Sequence, residues 1–213
     1  MQVNTDTQAE LGLSVTEAAR RAQIIGATIA TMAQVGYRKT TFARIKERAG
    51  LSSTRLISYH FTSKAGLMQA VLSTVIETKT NFLAERTEGR VGAADRAGNL
   101  RAHIETSVAF LRDYPDCVRV LTEMTANAED EDGWTMAGPV LNDLRVGAVY
   151  RQLKQGQAEG AFGDFAPDVM AMSIAQAIDG VAAQFKADPT LDIDRYGREL
   201  ADLFERATAP AAK

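Results

Sequence analysis

Apolar positions recur along this chain at the three-to-four-residue spacing of amphipathic helices. No stretch shows the convincing alternation of a half-buried strand. Ser14-Val15-Thr16-Glu17 has the spacing of a capping box. Behind it, Ala18, Ala22, Ile25, Ile29 and Met32 mark one face of a first helix that ends at Gly36. Thr41 can cap a short second helix carrying Phe42, Ile45 and Ala49 on one face, and Gly50 supplies the positive φ at which such a helix stops. Ser52 or Ser53 caps a third helix through Leu56 and Ile57 to about Tyr59. Ser63 caps a longer fourth helix with Leu67, Val71, Leu72, Val75 and Ile76 on its buried side. Five further amphipathic helices are predicted over about 93–114, 116–128, 139–159, 167–187 and 192–208. The first stops before Pro115, and the third starts at Pro139. The expectation is an all-α chain: a loose arm over 1–15, a three-helix head over 16–66, and a larger helical body over 67–213.

Composition narrows the class. The 213 residues are 46% apolar and 24% charged, near the globular average. A single cysteine, Cys117, excludes a disulfide framework and a cysteine-rich zinc site, and reads as a buried small hydrophobe in a reducing compartment. No apolar run approaches the ~18 residues of a membrane span. Residues 1–15 lack the basic start of a signal peptide, so a cytoplasmic location is expected. The net charge of −3 hides an asymmetry. Residues 1–66 hold nine Lys/Arg against four acids, a surplus of +5, and the remaining 15 basic and 23 acidic groups leave −8. A basic segment on an acidic body is the footprint of a polyanion-binding head.

Two short helices around a Gly turn, inside that basic segment, form a helix-turn-helix pattern. The second helix of such a pair puts its N-terminal residues against base edges and phosphates. Ser52, Ser53, Thr54 and Arg55 occupy that end. Arg55 can bond guanine bidentately; the serines and Thr54 can contact phosphate or a base edge. Thr41 and Arg44 on the preceding helix, and Ser58, Tyr59, His60 and Lys64 at the far end, complete the candidate DNA contacts. Tyr59 reads either as core or as a phosphate contact, and His60 either as a phosphate contact or as a structural hydrogen bond. Phe42, Ile45, Leu56 and Phe61 read as the small core of the head. An enzyme is disfavoured. There is no Gly-rich phosphate loop and no H-E-x-x-H, and only two histidines occur, His60 and His103.

Gly36-Tyr37, Thr40-Thr41, Ile45, Ala49-Gly50-Leu51-Ser52, Tyr59-His60-Phe61, Ser63-Lys64 and Leu67 together resemble the TetR family of bacterial repressors, over about residues 17–72. The segment between Gly50 and Phe61 is one residue longer than the commonest spacing in that family. The usual Gly near the start of the recognition helix is replaced by Thr54 or Arg55. Ser58 stands where the family usually has a phosphate-contacting Tyr, with Tyr59 next to it. The resemblance implies a homodimeric repressor that binds a palindromic double-stranded DNA operator and releases it when a small molecule enters the body. It also implies that the last two helices form the dimer interface, here through Ile174, Ile178, Val181, Phe185, Leu200, Leu203 and Phe204. The alternative is a DNA-binding regulator without a small-molecule effector, controlled by a protein partner.

Phe82, Phe110, Met124, Trp134, Met136 and Met170 can line a largely apolar effector cavity, although each alone reads as plain core. His103, with Ser107 four and Phe110 seven residues on, lies on a face that can line such a pocket. A lone His is no metal site, since ligands come in sets, and the carboxylates of Glu129–Asp132 read as a solvated loop. No metal and no cofactor are expected.

Overall fold

The structure, a computed structural model, describes residues 15–87, 95–127 and 137–211. Its helices are α1 (Val15–Val35), α2 (Phe42–Arg48), α3 (Arg55–His60), α4 (Lys64–Thr87), α5 (Arg96–Asp113) and α6 (Pro115–Ala126). They continue with α7 (Ala137–Asn142), a π-helical turn (Asp143–Gly147), α8 (Ala148–Ala158), α9 (Pro167–Ala187) and α10 (Ile193–Thr208). Among the described residues there is no strand, and no helix is long and apolar enough to cross a membrane. Ser14, the loop Glu129–Asp132, Trp134 and Met136 lie outside the described residues.

The chain divides into two compact units, Met1–Val75 with Arg119–Ala137, and Ile76–Val118 with Gly138–Lys213. This division falls inside α4, later than the boundary at 66/67 expected from sequence, and it takes α6 from Arg119 onward into the first unit.

In the first unit α1 packs against α2 and α3 over Ile24, Met32, Tyr37, Ile45, Leu51, Ile57 and Phe61. The buried face of α1 keeps Met32 of the expected Ala18, Ala22, Ile25, Ile29 and Met32 stripe but is otherwise rotated from it. It runs through Ile24, Ala27, Thr28, Thr31 and Met32, while Ala22 is exposed. Thr28 and Thr31 are tolerated there because their hydroxyls donate to the carbonyls of Ile24 and Ala27, each at 2.7 Å. That removes the cost of burying an unbonded hydroxyl. Gly36 (φ 82°) and Gly50 (φ 62°) end α1 and α2 in the left-handed region, which other residues rarely enter.

The second unit is built on α5, which packs along α10 and is flanked by α8 and α9. Its core holds Leu100, Ile104, Val149, Leu153, Phe162, Ala171, Ile174, Ala201 and Phe204. Gly197 of α10 faces Val108 of α5, where a Cβ would stand in ordinary contact at 3.5 Å. Arg101 fastens the same pair of helices, donating to Glu205 (Nε to Oε1 2.7 Å), to Asp202 and to Glu105 (3.0 Å). The helix expected over 139–159 is interrupted by the π turn. There the Asp143 side chain folds over Gly147, which has no Cβ to exclude it, and pairs with Arg151 at 2.6 Å.

Candidate nucleic-acid interface

Local chemistry shapes the head. Thr41 caps α2 by accepting the Arg44 N–H at 3.4 Å. The start of α3 differs from expectation. Thr54 holds the cap position without a side-chain bond, and Ser53 Oγ accepts the Arg55 N–H at 3.1 Å, so the helix begins at Arg55. Gln23 Nε2 donates to the Ala49 carbonyl at 2.7 Å, tying α1 to the turn between α2 and α3. Arg21 donates to the His60 carbonyl and lies 4.4 Å over the Phe61 ring, which fixes the far end of α3.

With α3 held this way, its solvent side carries Arg55, Ser58 and Tyr59. Tyr59 is 72% exposed, which removes the core reading; its hydroxyl donates to Glu17 at 3.2 Å and its ring meets His60 edge-on at 5.0 Å. Ser52 is exposed, whereas Ser53, Thr54 and His60 are half-buried. Thr41 and Arg44 are exposed at the start of α2. Lys64, half-buried, lies 5.1 Å over the Tyr37 ring. Ile45 and Phe61 are core as expected; Phe42 and Leu56 are only half-buried, and Ile57 and Leu51 fill the space between the helices.

Seven of the nine basic residues of the head fall into two groups. Arg20, Arg21, Arg38 and Arg48 are engaged by Gln23, the His60 carbonyl, Asn127 and Gln34. Lys39, Arg44 and Arg55 are exposed and, among the described residues, their side chains make no hydrogen bond or ion pair. These are the cations available to an anionic partner. Sequence reasoning had not singled out Lys39, although its charge was in the count.

The residues expected around an effector separate. Phe82 and Phe110 are buried with ring centroids 5.4 Å apart, and Tyr114 meets both, at 5.4 and 5.0 Å. Met170 packs on the core around Ile104 and Leu153. Met124 is buried but belongs to the first unit. His103, half-buried on α5, has its pKa pushed down to about 4, by burial first and by the Lys79 charge second. Burial likewise lowers the pKa of Lys79, against the pull of Asp179. Lys79 was missed in the sequence, where its only signal is its place three residues before Phe82 on one helix face. The buried Cys117 thiol is pushed up, by burial and then by Asp116, which makes it a poor nucleophile.

Of the residues expected at a dimer interface, Ile174, Val181 and Phe204 are buried in the second unit's own core, and Ile178, Phe185 and Leu200 pack half-buried against it. Leu203 is exposed. A helix at helical period serves its own core first, and the large apolar side chains left exposed on α9 and α10 are Leu203, one of those expected, with Val169 and Met172, which were not.

Comparison with known proteins bears on the head. Residues 24–71 match the bacterial regulatory proteins of the TetR family. BetI of Paraburkholderia xenovorans, an HTH-type transcriptional regulator, is 37% identical over 83 residues, 39% of this chain and 41% of that protein. RutR of Escherichia coli, likewise an HTH-type transcriptional regulator, is 33% identical over 111 residues, 52% of this chain and 50% of that protein. The chain thus spans about half the length, or less, of the curated relatives it matches. The fold extends further. A TetR family transcription regulator from Marinobacter aquaeolei superposes with a TM-score of 0.73 at 15% identity, over 92% of this chain and 98% of that one. The fatty acid degradation regulator FadR of Bacillus halodurans gives 0.70 at 16% identity, over 87% and 94%. The helix-turn-helix geometry, the matched segment and these relatives agree: the N-terminal domain of this chain is of the kind found in the TetR family of bacterial regulatory proteins.

Proposed function

We propose that the chain is a ligand-responsive transcriptional repressor, a homodimer that binds a palindromic operator and leaves it when a small molecule occupies the second unit. The observation that carries this reading is α3. It is anchored on its inner side by Ile57, Phe61 and Arg21, and it presents Arg55, Ser58 and Tyr59 outward beside the exposed Arg44 and Lys39. In the major groove Arg55 would read a base, with Ser58, Tyr59, Arg44 and Lys39 on phosphates. Two such helices in a two-fold dimer would sit about one DNA turn apart, roughly 34 Å, which accounts for a palindrome. Val169, Met172 and Leu203, each about half exposed, supply apolar surface for the dimer. The helix α4 runs without a break from the first unit into the second, and is the element through which an effector would bias the head. An effector weakens DNA binding only by its different affinity for the two head arrangements. The regulators BetI and RutR named above support this class of function.

The test is fluorescence anisotropy with DNA flanking the protein's own gene, against scrambled DNA, over a salt series. Arg55→Ala is expected to relax the preference by ~1–3 kcal/mol. Arg44→Ala is expected to weaken both DNAs alike and to reduce the salt slope by about one. A chain that binds neither DNA overturns the reading and favours control through a protein partner.

A further inference from the structure

The second unit gathers polar groups that its fold does not use. Lys79 on α4 is half-buried and, among the described residues, makes no hydrogen bond or close ion pair. The carboxylate in its neighbourhood, Asp179 on α9, is already held by Arg145 of the π turn, with Nε at 2.8 Å and a guanidinium nitrogen at 2.5 Å. His103 on α5 lies within the field of Lys79 and is neutral at pH 7. One turn further along α5, Ser107 Oγ is buried and has no hydrogen-bond partner. The i, i+4 spacing of His103 and Ser107 puts both on one side of the helix. Another turn on, Phe110 and Phe82 meet, three residues from Ser107 and Lys79 respectively.

Such an arrangement is costly as pure structure. A half-buried ammonium without a paired anion and a buried hydroxyl without a partner each forfeit hydration. The donors are an ammonium, a hydroxyl and an imidazole, and they lie beside an aromatic wall. With Asp179 held by Arg145, a protonated Lys79 gives the cluster a single positive charge. A monoanion with an apolar body satisfies all of these features together; a dianion would leave charge unpaired, and a neutral apolar ligand would leave Lys79 and Ser107 unsatisfied.

We propose that Lys79, Ser107 and His103 bind the carboxylate of an organic monoacid whose apolar body lies against Phe82 and Phe110, which rests on the reading of the second unit as the effector-binding unit. Lys79 supplies the counter-charge, Ser107 a directed O–H donor, and His103 an N–H donor.

The test uses the full chain. Sodium benzoate and the straight-chain carboxylates from hexanoate to dodecanoate are titrated by calorimetry beside the corresponding amides. At least one acid is expected to bind, with its amide at least tenfold weaker. Lys79→Met is expected to abolish the distinction and Ser107→Ala to weaken the acid several-fold, with circular dichroism confirming that both fold. Without ligand, Lys79→Met is expected to raise the melting temperature, since a methionine fills the site without an unpaired charge. No binding by any acid, equal binding of acid and amide, or a melting temperature lowered by Lys79→Met overturns the proposal. The operator experiment above is run on the same preparations. Specific DNA binding without acid binding sinks the site alone. Lys79-dependent acid binding without DNA binding keeps the site and sinks the repressor.

Discussion

Replacing Gly36 by alanine tests how the first unit is closed. Gly36 has φ 82°, and its amide ends α1 by donating to the Met32 carbonyl at 2.9 Å. An L-residue with a Cβ costs about 1–2 kcal/mol in the left-handed region. The second part of the cost is specific to this fold. The new Cβ would lie 3.0 Å from Glu123 Oε2, and that oxygen accepts the Tyr37 N–H at 2.9 Å. The carboxylate must retreat by a few tenths of an ångström and lengthen a charge-assisted bond worth ~1.5–3 kcal/mol when intact. Losing part of it adds about 1 kcal/mol, for a total of about 2–3 kcal/mol. Urea unfolding followed by circular dichroism reads this as a lower midpoint at unchanged m. A double-mutant cycle separates the two contributions. In a Glu123→Ala background the carboxylate is gone, and Gly36→Ala should cost only the ~1–2 kcal/mol of backbone strain. Equal costs in the two backgrounds would refute the contact with Glu123, and a cost below about 0.5 kcal/mol would refute the strained backbone as well.

Three further outcomes are expected. Unfolded, His103 takes its proton near the ordinary value of 6.5, but folded it holds out until about pH 4, so its contribution is complete above pH 6.5 and is lost as the pH falls through that window. At ~1.4 kcal/mol per unit this is at most roughly 3.5 kcal/mol, and the melting-temperature gap between wild type and His103→Gln should shrink from pH 7 to pH 4.5; a constant gap counts against a buried neutral imidazole. A Cβ at Gly156 would stand well inside contact distance of the buried Phe162 ring, so Gly156→Ala should lower stability by ~1–3 kcal/mol, with partial rescue by Phe162→Leu; no loss on denaturation would contradict that packing. Arg101→Met should cost about 1 kcal/mol, because Glu105, Asp202 and Glu205 are then left facing one another while remaining partly solvated, and the loss should shrink at high salt. A salt-independent loss would assign the effect to packing of the arginine stem.

Much of the fold was legible because helix placement is a local property. The turn glycines, the cap at Thr41, the first-turn Pro167 and the helical spacing act over a few residues, and the described helices follow them within a few positions. The helix-turn-helix pattern and its basic surplus were legible for the same reason. What the sequence could not determine was which way each helix turns its faces and what it meets. Thr28 and Thr31 joined the core because α1 packs that side inward once their hydroxyls are bonded within the helix. Ile174, Val181 and Phe204 went to the chain's own core because α9 and α10 turn them toward α5 and the rest of the second unit, leaving Val169, Met172 and Leu203 outside. Tyr37 is capped by a carboxylate 86 residues away, and Lys79, His103 and Asp179 come from three separate helices. Periodicity specifies that a helix has an apolar side, but burial, charge pairing and unmet hydrogen bonds exist only between elements, so tertiary packing alone decided them.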